Sequence, residues 1–491
     1  MTLGRMLPLS RLIFVLFLIG FPFAIGLDLI VDADIQSVNG TSYPSLSQAI
    51  SALIQPDGSL RDTTNTITLK VSCLNVSQYF TSDSIIGTGI ESLLIKYEGT
   101  PETVDLSATC SQLPTVVISS SYKINFQYMQ NVTFVGLNIQ YIASPTLSQI
   151  LHSSNVIFSN FCFNNSEPDY PDLTSKPPSN YYITFNFKNV TNFTMTNGVY
   201  LIDALKTVSL TSVSQIKIRA IVYEFLSTTH ASSQYALFAD NPTYFDTNAS
   251  ITQIRFRCPP EPVMMPIVYR FLNINSGTMS DVSMSDCNFN QVITSYQRLM
   301  SVNGVKSFHM DNVSVFNISY ARYYSQYFAV FTSVMNLTIS NLQAENVTVP
   351  LPYYFIHSQF IQINDGTYGT AYPMNISLIN WTISNWHLDQ LHQIVLLILS
   401  NAKSYNGLQI QNISMSNCRC VWTNSFLAME IPIPIAQTLT FNFPPITIND
   451  FKFEGSKMNG TRVFWFKHYY STTFQYTEGT EIFRFLFSNI T

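Results

Sequence analysis

A pattern of four apolar residues, h-x-h-x-x-h-x-h, with h apolar and x mostly polar, returns along most of the chain. Its clearest copies are Val132, Phe134, Leu137 and Ile139; Val156, Phe158, Phe161 and Phe163; Phe308, Met310, Val313 and Val315; and Leu337, Ile339, Leu342 and Ala344. Three more are Ile376, Leu378, Trp381 and Ile383; Leu408, Ile410, Ile413 and Met415; and Ile446, Ile448, Phe451 and Phe453, with weaker matches near Phe193, Thr211, Ala249 and Gly277. Each half is a strand of period two with one buried face. The two residues between the halves reset that period, so both halves point inward only if the chain bends between them. The second of those residues is Gly136, Asn160, Asn197, Asp281, Asn312, Asn341, Asn380, Asn412 and Asp450 in successive copies. These residue types tolerate the left-handed backbone that a sharp bend needs. A globular sandwich gives no reason for one turn chemistry to recur in this register.

Between copies the first apolar position advances by roughly 24 to 39 residues, with one interval of about 18 that marks a false match among the weaker copies. That length holds two bent strands, a third strand and a variable loop. The third strand is visible from Ile183 to Phe187, Phe328 to Phe331 and Val395 to Leu399. Composition agrees: of 491 residues only 11% are charged and 14% are aromatic, so hydroxyl and amide side chains must cover the outside of strands.

These residues predict an all-β solenoid, and the chain resembles the pectin-lyase-like right-handed parallel β-helix superfamily. In that superfamily two strands meet at a short turn often held by Asn, and stacked Asn side chains form a ladder inside the coil. The resemblance implies an internal ladder at the nine turn positions, with Asn312, Asn380 and Asn412 buried. Tyr43 to Ile50 looks like the short amphipathic helix that covers the first coil there. Ser45 and Gln48 form a capping box, and Leu46, Ala49, Ile50 and Leu53 share one face. The superfamily hosts lyases, hydrolases, adhesins and structural proteins, so the resemblance specifies no activity.

Arg5 and Arg11 precede an apolar run from Leu12 to Ile25 with small residues at Ala24 and Gly26, which predicts a signal peptide over 1–26. A cap region with the short helix is expected over 27–66 and the β-helix over 67–491. No cap follows the strand-like run Ile482 to Phe487, so a continuation past Thr491 or a partner subunit, including self-association, is expected at that end. No membrane span is expected after signal cleavage. Seven cysteines in an exported chain allow three disulfides. Cys73 and Cys110 flank the first two coils, and either bridge or stay as buried thiols.

Sixteen Asn-x-Ser/Thr sequons occur. The candidates for glycosylation, by loop or strand-end placement, are Asn39, Asn75, Asn164, Asn189, Asn248, Asn317, Asn346, Asn459 and Asn489. Asn131, Asn192, Asn336 and Asn375 sit just before a first strand and are intermediate.

A net charge of −5 without a basic run gives no footprint for nucleic acid. The hydrolase signatures Asn-Thr-Asp, Asp-Asp, Gly-His-Gly and Arg-Ile-Lys do not occur. Asp281, Asp286 and Asp311 are the acids nearest a repeat, and two of them fall in or beside turns where Asp serves the backbone. Arg255 and Arg257 share a strand face that could meet an anionic sugar, and solvent is the commoner occupant of such a face. The histidines have no metal-ligand spacing, and no cofactor or metal is expected. Tyr181-Tyr182, Tyr323-Tyr324, Tyr353-Tyr354 and Tyr469-Tyr470 offer rings that stack on sugars, contact another protein, or pack under loops. Two function classes follow. One is a non-catalytic surface glycoprotein with a structural, adhesive or carbohydrate- or protein-binding role; the chain is similar in style to predicted β-helix surface proteins of ciliated protozoa. The other is a secreted polysaccharide-degrading enzyme, which must gather charged groups from three neighbouring coils into one groove.

Overall fold

The computed structural model describes residues 26–490 except 82, 100–109, 120–121, 142–147, 165–182, 203–206, 226–234, 243–245, 264–266, 290–296, 321–325, 350–357, 365–373, 389–391, 399–404, 422–424, 433–445, 456, 460–463 and 470–484. Strands from successive repeats lie parallel and in register, and the chain winds into a right-handed parallel β-helix with three faces. On the first face Leu93, Val132, Val156, Phe193, Ile216, Ala249, Gly277, Phe308, Leu337, Ile376, Leu408 and Ile446 sit one above the next. The second face carries the other half of each repeat, as in the column Ile139, Phe163, Tyr200, Tyr223 and Phe256. The third face precedes the first in each coil and stacks Ile85, Phe126, Ile150, Phe187 and Leu210.

Period-two alternation sends these columns into one buried lumen. Rings interlock there: Phe134 stacks on Phe158 of the next coil at 4.9 Å, and Phe185 stacks on Phe187 of the same strand at 5.0 Å between centroids. Two lumen positions are glycine because a ring already fills the space. A Cβ on Gly198 would lie 2.5 Å from Phe161, and one on Gly277 would lie 2.5 Å from Phe308.

The expected helix, α1 (Leu46–Leu53), covers the first coil with Leu46, Ala49, Ile50 and Leu53 buried. Ser45 Oγ accepts from Gln48 N at 3.4 Å, and the helix's first amide, Leu46 N, donates to buried Gln78 Oε1 at 3.0 Å. The sheet begins earlier than the sequence suggests, because Leu27–Val31 pairs parallel with Thr64–Leu69 ahead of the helix.

The predicted corner exists: Asn160, Asn197, Asp281, Asn312, Asn341, Asn380, Asn412 and Asp450 all hold φ between 49° and 57°, and Gly136 holds 69°. Ala220 (φ 54°) and Gln253 (φ 57°) hold the same corner, two coils in which the Asn signal fails. The copy placed near Thr211 begins at Ile216 instead. Two further left-handed columns appear. Tyr128, His152, Asn189, Ser212, Asn273, Gly304 and Ser333 turn the third face into the first, and Asp286, Asn317, Asn346, Asn385, Asn417 and Gly455 follow the second strand of later coils.

Two expectations are corrected. Cys110 bonds Cys162, not Cys73, and Cys258 bonds Cys287. The Cys73 side chain points into the lumen and its thiol donates to Val31 O at 3.4 Å, whereas Cys162 faces outward between inward Phe161 and Phe163, where the loop bearing Cys110 can reach it. Burial pushes the Cys73 thiol above its ordinary range, which leaves it protonated. Second, Asn312, Asn380 and Asn412 are exposed rather than buried. A left-handed residue at a convex bend directs its Cβ away from the lumen, so this ladder runs along the outside.

Candidate functional site

The outer corners hold the most organised polar chemistry among the described residues. Along the predicted corner, Asn412 Nδ2 donates to Asn380 Oδ1 at 2.9 Å, Asn380 to Asn341 at 3.1 Å, and Asn341 to Asp311 at 2.7 Å. Asn312 donates to Asp281 at 2.6 Å. Along the later column Asn346 donates to Asn317 at 2.9 Å and Asn317 to Asp286 at 2.8 Å. A third row lies where the first strand starts, with Asn192 on Asn155 at 2.7 Å, Asn155 on Asn131 at 2.8 Å, and Asn375 on Asn336 at 2.8 Å.

All these bonds run the same way: the amide of each later coil donates toward the coil before it. Such a chain must begin on a group that accepts and need not donate. An ionised carboxylate meets that demand, since it is acceptor-only. Asp281, Asp286 and Asp311 occupy the starting places of the two corner columns, while the third row starts on Ser92 Oγ, which accepts from Asn131 at 2.8 Å. Asp311 also accepts from Ser340 Oγ at 2.6 Å. Burial pushes its carboxyl up, yet the donors Ser340 and Asn341 and the charge of His309 outweigh that and hold it below the ordinary carboxylate range. The three acids that a glycosidase reading singles out therefore head hydrogen-bonded rows, with Asp281 and Asp286 at the two corners of one coil and Asp311 in the next coil, where it pairs with Ser280 beside Asp281.

The remaining sequence-selected groups are dispersed. Arg257 lies 3.9 Å from Glu224, both about one-third exposed, and Arg255 is exposed on the second face. Arg219 Nε donates to Gln253 Oε1 at 3.1 Å across the corner. His387 is exposed, and the His392 side chain lies outside the described residues. Among the described residues no group of three or more His, Cys, Asp or Glu could hold a metal ion, and no helix is long and apolar enough to cross a membrane. The side chains of Tyr181-Tyr182, Tyr323-Tyr324, Tyr353-Tyr354 and Tyr469-Tyr470 lie outside the described residues, as does the segment 1–25 that carries the predicted leader.

Of the glycosylation candidates, Asn39, Asn75, Asn189, Asn317 and Asn346 are exposed and Asn248 is half-buried. Asn248 Oδ1 accepts from Asn275 Nδ2 at 2.9 Å and Ser276 Oγ at 2.6 Å. Asn164, Asn459 and Asn489 lie on strands, with side chains outside the described residues. Asn312, Asn380 and Asn412, set aside on the expectation of burial, are as exposed as Asn317 and Asn346.

Sequence reasoning missed two features with different legibility. The Asp286-to-Gly455 column repeats five residues after the predicted corner in Asp, Asn or Gly, a signal that was present. The Tyr128 and His152 corner was not legible, because aromatic residues rarely take left-handed backbone. In the lumen Tyr223 and Tyr269 are fully buried, with centroids 5.4 Å apart. Burial pushes both phenols far up, so they stay protonated. In comparisons with known proteins, no family model, no curated protein and no solved structure matches this chain.

Proposed function

We propose that this chain is a non-catalytic extracellular or cell-surface glycoprotein whose stacked coils serve as a rigid spacer or adhesive scaffold, built in the manner of the pectin-lyase-like β-helices. One observation carries the reading: the acids nearest the corners act as acceptors that start asparagine ladders, so their oxygens are engaged in rod continuity rather than held free for acid and base work on a glycosidic bond. Export is supported by the Cys110–Cys162 and Cys258–Cys287 bonds, which persist in oxidising compartments.

The test is expression of the full chain in a secreting eukaryotic host. Expected are recovery from the medium, a mobility shift after enzymatic deglycosylation, and no release of reducing or unsaturated sugars from pectin, xylan, glucan or chitin. Release of such products that disappears on substituting Asp281, Asp286 or Asp311 refutes the non-catalytic reading, and retention of the chain in the reducing cytosol refutes the extracellular one.

A further inference from the structure

Every exposed large apolar side chain among the described residues precedes residue 129. Four of them, Tyr79, Ile86, Tyr122 and Tyr128, border the outside of the third face in the first coils and are 38% to 47% exposed. They are arranged as two ring pairs with polar groups between. At one edge Tyr79 and Tyr122 lie 5.1 Å apart between centroids. At the other, Tyr128 and His152 stack at 5.1 Å with planes 12° apart. Tyr122 and Tyr128 are six residues apart on nearly extended chain, about 20 Å. Between the pairs, Asn125 Nδ2 donates to Ser84 Oγ and Gln149 Nε2 donates to Asn125 Oδ1 at 3.1 Å. This central row is uncharged; Asp83 and Lys123 stand at the Tyr122 end and Lys188 lies two coils on from Tyr128.

The Tyr128 and His152 pair is set in a costly place. Both residues hold left-handed backbone, with φ 54° and 50°, at a column that elsewhere carries Asn189, Ser212, Asn273, Gly304 and Ser333, all small or amide residues. Asparagine or glycine would satisfy this turn with less strain, so turn chemistry does not account for the rings. Packing does not account for them either, since Tyr128 remains 47% exposed. The corner of the preceding coil carries Gly87, whose amide donates to Gln127 O at 2.8 Å, and it places no ring over Tyr128 from that side. His152 Nδ1 lies 3.2 Å from Asn189 Nδ2 of the next coil, which fixes the imidazole at this corner.

We propose that this face binds a neutral polysaccharide, with sugar rings stacked on the Tyr79–Tyr122 and Tyr128–His152 platforms and hydroxyls bonded to Ser84, Asn125 and Gln149. Aromatic rings supply an apolar face with a polar rim, and carboxamides both donate and accept, as sugar hydroxyls do. The uncharged central row selects a neutral polymer over an acidic one. The proposal deepens the scaffold reading by naming a ligand class. Secretion and catalysis are measured separately from binding, so failure of either idea is distinguishable.

The test is affinity electrophoresis and pull-down of the secreted full chain on β-glucan, chitin, xylan and mannan, with polygalacturonate as the acidic control. Retention on at least one neutral polymer is expected. Tyr128→Asn should weaken it by about tenfold or more, the scale of one lost ring platform, while raising thermal stability because asparagine suits the corner. That opposite sign separates lost binding from misfolding. Tyr122→Ser should weaken retention on its own. The proposal is overturned if none of the four neutral polymers retains the chain, if polygalacturonate alone does, if Tyr128→Asn leaves retention unchanged, or if the rings prove to hold two copies of the chain together, seen as a dimer that Tyr128→Asn dissociates.

Discussion

Ala220→Asn should stabilise this protein, a demanding outcome because most substitutions destabilise. Ala220 sits in the predicted corner at φ 54°, between Asn197 and Gln253. A left-handed L-residue costs roughly 1–2 kcal/mol, a cost that asparagine partly escapes through local hydrogen bonding; relief of about 1 kcal/mol is reasonable. The new amide would stand one coil above Asn197 in a column whose later members bond at 2.9 and 3.1 Å. A partly solvated bond of that kind adds about 0.5 kcal/mol, the low end of the net range. The sum, about 1.5 kcal/mol, is roughly a tenfold fall in the local opening constant. The residues that follow are Ile221 and Val222, so the change creates no sequon. In a solenoid, stability is largely local to neighbouring repeats, and the assay is hydrogen exchange on the strand Gln215–Phe225 and its partners. Ala220→Gly is the control: it relieves the same strain but loosens the unfolded chain by about 0.4–1 kcal/mol, so it should be near neutral. Unchanged or faster exchange in Ala220→Asn would refute the claim that this corner selects residues for backbone conformation and ladder bonding.

Other outcomes follow from the lumen, the staples and buried Glu91. Gly198→Ala should cost about 1–3 kcal/mol by overpacking, since the new Cβ would lie 2.5 Å from the Phe161 ring. Pairing it with Phe161→Leu should recover part of that loss in a double-mutant cycle read by thermal unfolding. Non-reducing peptide mapping should find Cys110 joined to Cys162 and Cys258 joined to Cys287. Opening the first of these, which closes 52 residues, should cost up to about 4 kcal/mol on loop entropy; a Cys73–Cys110 peptide would contradict the structure. Buried Glu91 is pushed up by desolvation, but Thr88 Oγ1 and the amides of Thr88 and Ile90 outweigh this and hold its carboxyl below the ordinary range. Its folded value lies below the unfolded one of about 4.3, so its stabilisation is complete above that pH and lost as pH falls through the folded value. Glu91→Gln should therefore lower the melting temperature at pH 7, with the gap to the parent closing in acid; a gap independent of pH would show that the charge is not what the Thr88 turn holds.

Sequence alone determined the bend between Val156–Phe158 and Phe161–Phe163 and its equivalents, because both halves of that signal are local. Alternation sets which side chains face inward, and left-handed tolerance marks where the chain must turn. The short capping helix was legible for the same reason, as Leu46, Ala49, Ile50 and Leu53 fall on one face within two turns. Everything that depends on which coil lies above which was left to tertiary structure. Loops of unequal length separate Cys73, Cys110 and Cys162, so their pairing follows from the stacking register and from Cys73 pointing into the lumen. The outward course of the Asn312, Asn380 and Asn412 ladder follows from the sense of the bend, which a list of residue types does not contain. The meeting of Tyr128 with His152, 24 positions later in sequence and in the next coil, needed parallel strands in exact stagger, and only the wound chain supplies that.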